Sequence, residues 1–265
     1  MSSLTAYASA TARDSAAPAS SNPGLCIFRT DTKAIEVSDG TDYFTYNNDG
    51  QSLQFSSNSY SGVFDGSGDW ISIGTIGDLN SASTLSFSTW FKLAATPSSE
   101  TFFGGGSSTS NRFWCQVLTA TSIRIGMGGT IKDLTVSTLN TTDWYHFAFS
   151  YDAGTATCYL DGSSVGTLTG LPSTTNSNSS TNLRLGALTG TSAFGNNTTE
   201  FQGKMDEVAF FNYALSSSQI SAIYNNKSYN LPTALWRLEN DVTDEMGNYD
   251  GTNSNVTFDA SDKPY

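Results

Sequence analysis

Between residues 60 and 224 apolar and polar positions alternate in short runs separated by turn residues. In 85–93 (LSFSTWFKL), Leu85, Phe87, Phe91 and Leu93 fall on one side and Ser86, Ser88 and Lys92 on the other. That period of two predicts a strand with one buried face. Residues 144–151 (WYHFAFSY) set Tyr145, Phe147, Phe149 and Tyr151 against Trp144, His146, Ala148 and Ser150. Both sides of that run are apolar enough to be covered, so it reads as a central strand. Residues 155–160, the dipeptide Asp161-Gly162 and residues 165–168 read as a hairpin with an Asp-Gly turn. Further strands are predicted at 112–118, 123–127, 183–188, 204–212, 233–238 and 256–258. One helix interrupts them: Ser216 as N-cap with Gln219 three residues on forms a capping box, and the helix is predicted over 217–225.

The flanks read differently. Residues 1–24 are rich in Ala, Ser, Thr and Pro, with little to pack, and predict a flexible arm. Residues 25–58 predict a β-hairpin attachment segment, with LCIF and AIEV as its first two runs. Residues 59–228 form the main β domain. Residues 229–265 supply last strands that complete the sandwich or pair with a neighbouring subunit. About a dozen strands with turns every 8 to 12 residues predict an all-β, two-sheet antiparallel sandwich with one short helix.

Composition removes several alternatives. Only 14% of the 265 residues are charged, too few to solvate the outer faces of long helices, while Ser and Thr together number 74 and aromatics reach 12%. A net charge of −12 repels phosphate backbones, so nucleic-acid binding is not expected. No run approaches 18 apolar residues, so no membrane insertion is expected. The first residues lack an apolar signal region, which predicts a chain made in the cytoplasm. Cys26, Cys115 and Cys158 are too scattered for a disulfide framework, and the last two sit in apolar strands as buried thiols.

Several segments together resemble a known family. YSGVFDGSGDWISI (60–73), LSFSTWFKL, DWYHFAFSYDAGTATCYLDGSSVGT (143–167), LRLGAL and FQGKMDEVAFFNYALSSSQISAIYN (201–225) follow, in order, the strand pattern of laminin-G-like, concanavalin A-like jelly rolls. The resemblance implies two curved antiparallel sheets packed face to face. TDTKAIEVSDGTDYFTY (30–46) and the final segment from Ala234 are similar to parts of tailed-bacteriophage structural proteins. That second resemblance implies a non-enzymatic appendage, fibre or knob on a virion surface, with other virion proteins as partners, homo-oligomerisation, and a host-surface glycan as ligand. A purely architectural decoration protein and a polysaccharide-degrading jelly roll are the alternatives.

Candidate chemistry is sparse. Glycoside hydrolysis requires two carboxylates at a fixed separation, and no strand here carries an alternating acidic pair. Asp206 and Glu207 are adjacent, so they are expected on opposite faces, and Asp241, Asp244 and Glu245 fall in a turn. His146, the single histidine, reads as a satisfied core residue. The family resemblance implies a structural Ca2+ between the Phe-Asp-Gly loop and the closing strand. Its ligands would be Asp65, the Gly66 carbonyl, Asp69 and Asp206, oxygen donors of the kind calcium takes. Sugar recognition would fall to loops 104–111, 170–182 and 189–199. Arg112, Trp114 and Phe194 are the ligand-binding candidates there, because sugar rings stack on aromatic faces. Trp70, Trp90 and Trp144 read as core.

Overall fold

The computed structural model describes residues 58–265, except 107, 109 and 189–199, together with five strand backbones between residues 5 and 55. The chain divides into two units: residues 1–58 with 221–231, and residues 59–220 with 232–265.

The first unit is a six-stranded sheet. Strands β2 (Cys26–Arg29), β3 (Ala34–Ser38), β4 (Tyr43–Tyr46) and β5 (Ser52–Phe55) follow one another as an antiparallel meander. Strand β1 (Thr5–Tyr7) adds parallel to β2, and Ser228–Asn230 adds antiparallel to β5. Where the sequence predicted a hairpin the structure has a four-strand meander, and a strand falls within the stretch read as a flexible arm. A lone hairpin is marginal in water, and extra strands supply the pairing it lacks. The rest of residues 1–24 lies outside the described residues.

The second unit is the sandwich. Its strands are β6 (Ser61–Asp65), β7 (Trp70–Gly74), β8 (Thr84–Leu93), β9 (Glu100–Gly105), β10 (Phe113–Thr119), β11 (Ser122–Met127), β12 (Thr130–Thr135), β13 (Tyr145–Asp152), β14 (Thr155–Leu160), β15 (Ser163–Thr169), β16 (Leu183–Leu185) and β17 (Gln202–Phe211). The helix α1 (Ser217–Asn226) follows, then the first-unit strand Ser228–Asn230 (β18), then β19 (Ala234–Trp236), β20 (Thr252–Ser254) and β21 (Thr257–Asp259). One sheet runs β12-β11-β10-β9-β16-β7-β20. The other runs β15-β14-β13-β8-β17-β6-β21, with β19 also paired to β17. Every pairing in both sheets is antiparallel, so the fold is the expected all-β jelly-roll sandwich with one short helix.

Aromatic rings fill the space between the sheets. Phe87 lies 4.6 Å from Phe103, 5.1 Å from Phe210 and 5.9 Å from Phe149, centroid to centroid. All four are fully buried, each contributing about 1.5–3 kcal/mol by leaving water. Strand β9 escaped the sequence pattern because its two core phenylalanines are consecutive. Cys115 faces Phe103 and Gln116 faces Thr101, so Phe102 is the extra residue of a bulge that turns both rings inward.

The alternation in β8 predicted one covered face, yet both are covered. Ser86 and Ser88 are fully buried. The Ser86 hydroxyl donates to the Tyr213 carbonyl and accepts from the Leu215 amide, tying the chain before α1 across the outer face. The capping box forms as predicted: the Ser216 amide donates to Gln219 Oε1 at 2.8 Å, and the Gln219 amide to Ser216 Oγ at 3.3 Å. The other change is Glu207, which adopts a left-handed backbone (φ 49°) at a bulge in β17 against β8. Asp206 and Glu207 are both fully buried.

Candidate functional site

The outer face of the seven-stranded sheet gathers the sequence-nominated Arg112 and Trp114 with two residues the sequence did not nominate. Trp114 faces Gly104 on β9 and Gly126 on β11, while Arg184 faces Gly104 from the other side and Ser72 on β7. The row therefore reads Ser72, Arg184, Gly104, Trp114, Gly126 across five strands. The two glycines matter because they leave room. An added Cβ at Gly126 would fall within the Trp114 indole, and one at Gly104 would meet Leu188 Cδ2 at 2.5 Å. Trp114 thus lies flat on the sheet and is 4% exposed, with the Arg112 guanidinium 5.4 Å from its ring centroid.

A second stack of the same type sits one diagonal away. Trp70 was read as core, but it is half-buried on the outer face, because Ile71 and Ile73 take the inward positions of β7. Arg184 lies over its ring at 4.5 Å. Burial lowers the pKa of both Arg112 and Arg184, and for Arg184 the nearby Glu200 carboxylate opposes that shift. Both glycines are covered, Gly126 by Trp114 and Gly104 by Leu188, so the face offers the half-buried Trp70 ring and guanidinium N–H donors. Such a set can stack a sugar ring and donate to its hydroxyls. Phe194 and loop 189–199 lie outside the described residues, and the nominated loop 104–111 starts later than predicted, since Gly104 and Gly105 belong to β9.

The four residues nominated for calcium are not brought together. Asp65 and Asp69 share the β6–β7 turn with Gly66, where the Asp65 amide donates to Asp69 Oδ2 and the Ser67 amide to Asp65 Oδ1, both at 2.7 Å. Asp206 sits four residues along β17 from Gln202, the partner of Asp65, roughly 13 Å away along the strand. Glu200 comes to the turn instead, accepting from the Gly68 amide. Asp69 has a raised pKa, from burial first and then from the Asp65 and Glu200 charges, against the Asp65 hydrogen bond that lowers it. Among the described residues no three His, Cys, Asp or Glu side chains form a metal-holding group.

The outer face of the eight-stranded sheet carries polar groups that the alternation of single strands did not reveal. A groove of about 360 Å³ is lined by Asp65, Lys92, Thr141, Gln202, Lys204 and Asp262, among others. Lys92 and Lys204 both contact Asp262, at 3.0 and 2.8 Å, and Trp144 Nε1 donates to the same carboxylate at 2.8 Å. Farther along, Arg237 contacts Glu207 at 3.3 Å and Glu239 at 3.1 Å, and Glu239 accepts from the Ser59 and Tyr60 amides. His146 is fully buried, as expected, with Nε2 2.9 Å from Ser88 Oγ.

The fold and sequence both have relatives. A carbohydrate-binding assignment, itself provisional, belongs to a Bacteroides ovatus ATCC 8483 protein that is 19% identical, with a TM-score of 0.62 over 78% of this chain. The match covers 61% of that protein, so the chain corresponds to only part of its length. The native heptameric SAP-like pentraxin of Limulus polyphemus is 16% identical, with a TM-score of 0.57 over 77% of this chain and 96% of its own. No curated protein shows significant sequence similarity to the chain. Residues 65–221, more than half the chain, match the laminin-G-type family model of the concanavalin A-like lectin/glucanases superfamily. With the paired sheets, the bulged aromatic core and that match in register with the sandwich, the chain belongs to the concanavalin A-like lectin/glucanases superfamily.

Proposed function

We propose that this chain is a non-enzymatic carbohydrate-binding protein of a virion surface, which holds a host-surface glycan on the outer face of its seven-stranded sheet. The observation that carries the reading is the pair of Arg-on-Trp stacks, Arg112 with Trp114 and Arg184 with Trp70, on one face. Guanidinium groups held over indoles are pre-organised donors, so little freedom is lost when they bind hydroxyls. A single shallow site binds weakly, and many copies on one particle supply avidity. The resemblance of residues 30–46 and 234–265 to phage structural segments supports the virion assignment, and the separate six-stranded unit is the natural attachment element. Homo-oligomerisation follows from the same reading.

Two measurements test this. A glycan array probed with the whole chain should show binding that falls at least tenfold in Arg184→Ala and Trp70→Ala, both of which leave the sheet interior untouched. Mass spectrometry of purified particles should find the chain among the structural proteins. An array with no response, or binding indifferent to both substitutions, refutes the ligand half; absence from particles refutes the virion half.

A further inference from the structure

We propose that the outer face of the eight-stranded sheet is a second saccharide site, built for acidic sugars and occupied in this structure by the chain's own residues 260–265 as an internal stand-in. It shares no residue with the face proposed above.

The stand-in makes the contacts that an acidic saccharide would make. Asp262 presents a carboxylate to two ammonium groups, Lys92 and Lys204, and to the Trp144 indole N–H. Tyr265 presents a six-membered ring beside Trp90, centroids 6.1 Å apart, and its hydroxyl donates to Glu207 Oε1 at 2.6 Å. The two anchors are three positions apart in the chain, a reach of at most about 10 Å, which suits a carboxylate on one sugar ring and a hydroxyl on the next.

The receiving side is prepared for such a ligand. Glu207 is fully buried and held at a left-handed φ of 49°, a backbone that a β-strand glutamate adopts only under tertiary constraint. Its Oε1 takes Arg237 and Tyr265, while Oε2 is buried with no hydrogen-bond donor among the described residues, leaving an acceptor for a second hydroxyl. The groove of about 360 Å³ beside Asp262 remains open, so a ligand can enter before the stand-in has left.

The stand-in is also built to leave. Strand pairing of β21 to β6 ends at Asp259, so residues 260–265 can lift while the sheet edge stays intact. The ion pairs at Lys92 and Lys204 are part-exposed, with side chains 19–31% accessible, and such pairs exchange readily with solvent and competing ions. Tyr265 is itself 39% exposed.

The test compares the whole chain with Tyr265→Ala, Asp262→Ala and the double variant. Each is titrated with galacturonic acid tetramer and with galactose tetramer, reading tryptophan fluorescence, with thermal melting to establish that each variant is folded. The double variant should bind the acidic tetramer at least tenfold more tightly than the unaltered chain and should not gain affinity for the neutral one. Adding Lys204→Gln to the double variant should abolish the gain, while adding Arg184→Ala should preserve it, which separates this proposal from the first face. In the unaltered chain, saturating acidic tetramer should speed hydrogen exchange at residues 260–265. Equal affinity across the variants, binding by none of them, a preference for the neutral tetramer, or unchanged exchange at 260–265 overturns the proposal.

Discussion

Gly126→Ala should destabilise the sandwich through one side chain, Trp114. Gly126 does not sit at a left-handed φ, so alanine is admissible for the backbone and only space is at issue. The new Cβ would fall within the indole, against Nε1 and Cε2 and 2.7 Å from Cζ2. Trp114 is 4% exposed, with Arg112 stacked over it, so the ring cannot simply swing into solvent. Either the indole is displaced or β10 and β11 part locally. Overpacking of this kind costs about 1–3 kcal/mol, which for a domain of this size lowers the melting temperature by roughly 2–12 °C. The mechanism is isolated by a double-mutant cycle. Trp114→Ala alone should cost about 3–5 kcal/mol, and in that background Gly126→Ala should cost about 0.5 kcal/mol or less, because the methyl enters vacated space. Melting followed by circular dichroism on the four proteins gives the coupling energy. A Gly126→Ala protein melting within about 1 °C of the parent, or an equal cost in both backgrounds, refutes the reasoning.

Other outcomes follow from individual groups. Asp244 Oδ1 accepts from the Leu235 and Met246 amides and Oδ2 from those of Asn248 and Tyr249, at 2.8–3.1 Å, so Asp244→Ala strands four donors around a fully buried position. The expected loss is about 3 kcal/mol by chemical denaturation, with Asp244→Asn intermediate. Burial raises the Asp262 pKa, but hydrogen bonds from Lys204, Trp144 and Lys92 outweigh it and bring it down to about 2, while Lys204 and Ser261 hold Asp259 below the ordinary range. A depressed carboxylate stabilises the fold above its unfolded pKa near 4, and that stabilisation is lost as the pH falls through the folded value. Attachment of residues 260–265 should therefore be complete at pH 5 and lost towards pH 2, seen as a change in Trp144 fluorescence that Asp262→Asn removes. Burial pushes the Cys158 thiol up to about 12 and Cys115 well above its usual value. In a Cys26→Ser background both should resist a disulfide reagent at pH 8 until the protein unfolds, and prompt reaction would contradict their burial.

Strand alternation made the sandwich legible because each core strand repeats its chemistry every two residues, as Leu85, Phe87, Phe91 and Leu93 do. The capping box at Ser216 was legible for the same reason, since its partners are neighbours in sequence. What escaped depends on residues far apart. Phe102 and Phe103 break the period through a bulge, and Glu207 sits at another, in β17 against β8. Trp70 is outward because Ile71 and Ile73 take the inward positions of β7, and the residue that covers it, Arg184, lies more than a hundred residues later. At the candidate face Arg112 and Trp114 are readable as near neighbours in sequence, whereas the glycines flanking Trp114 need the register of three strands. Asp206 was matched to Asp65 by family likeness, and strand register separates them.

The strand Ser228–Asn230 gives the chain an interleaved topology, since it leaves the sandwich to finish the first sheet against Ser52–Phe55 and then returns to lay down β19, β20 and β21. Neither unit can be excised by a single cut. A fragment starting at residue 59 carries an orphaned edge strand in its middle, and one ending at residue 58 lacks the last rung of its ladder.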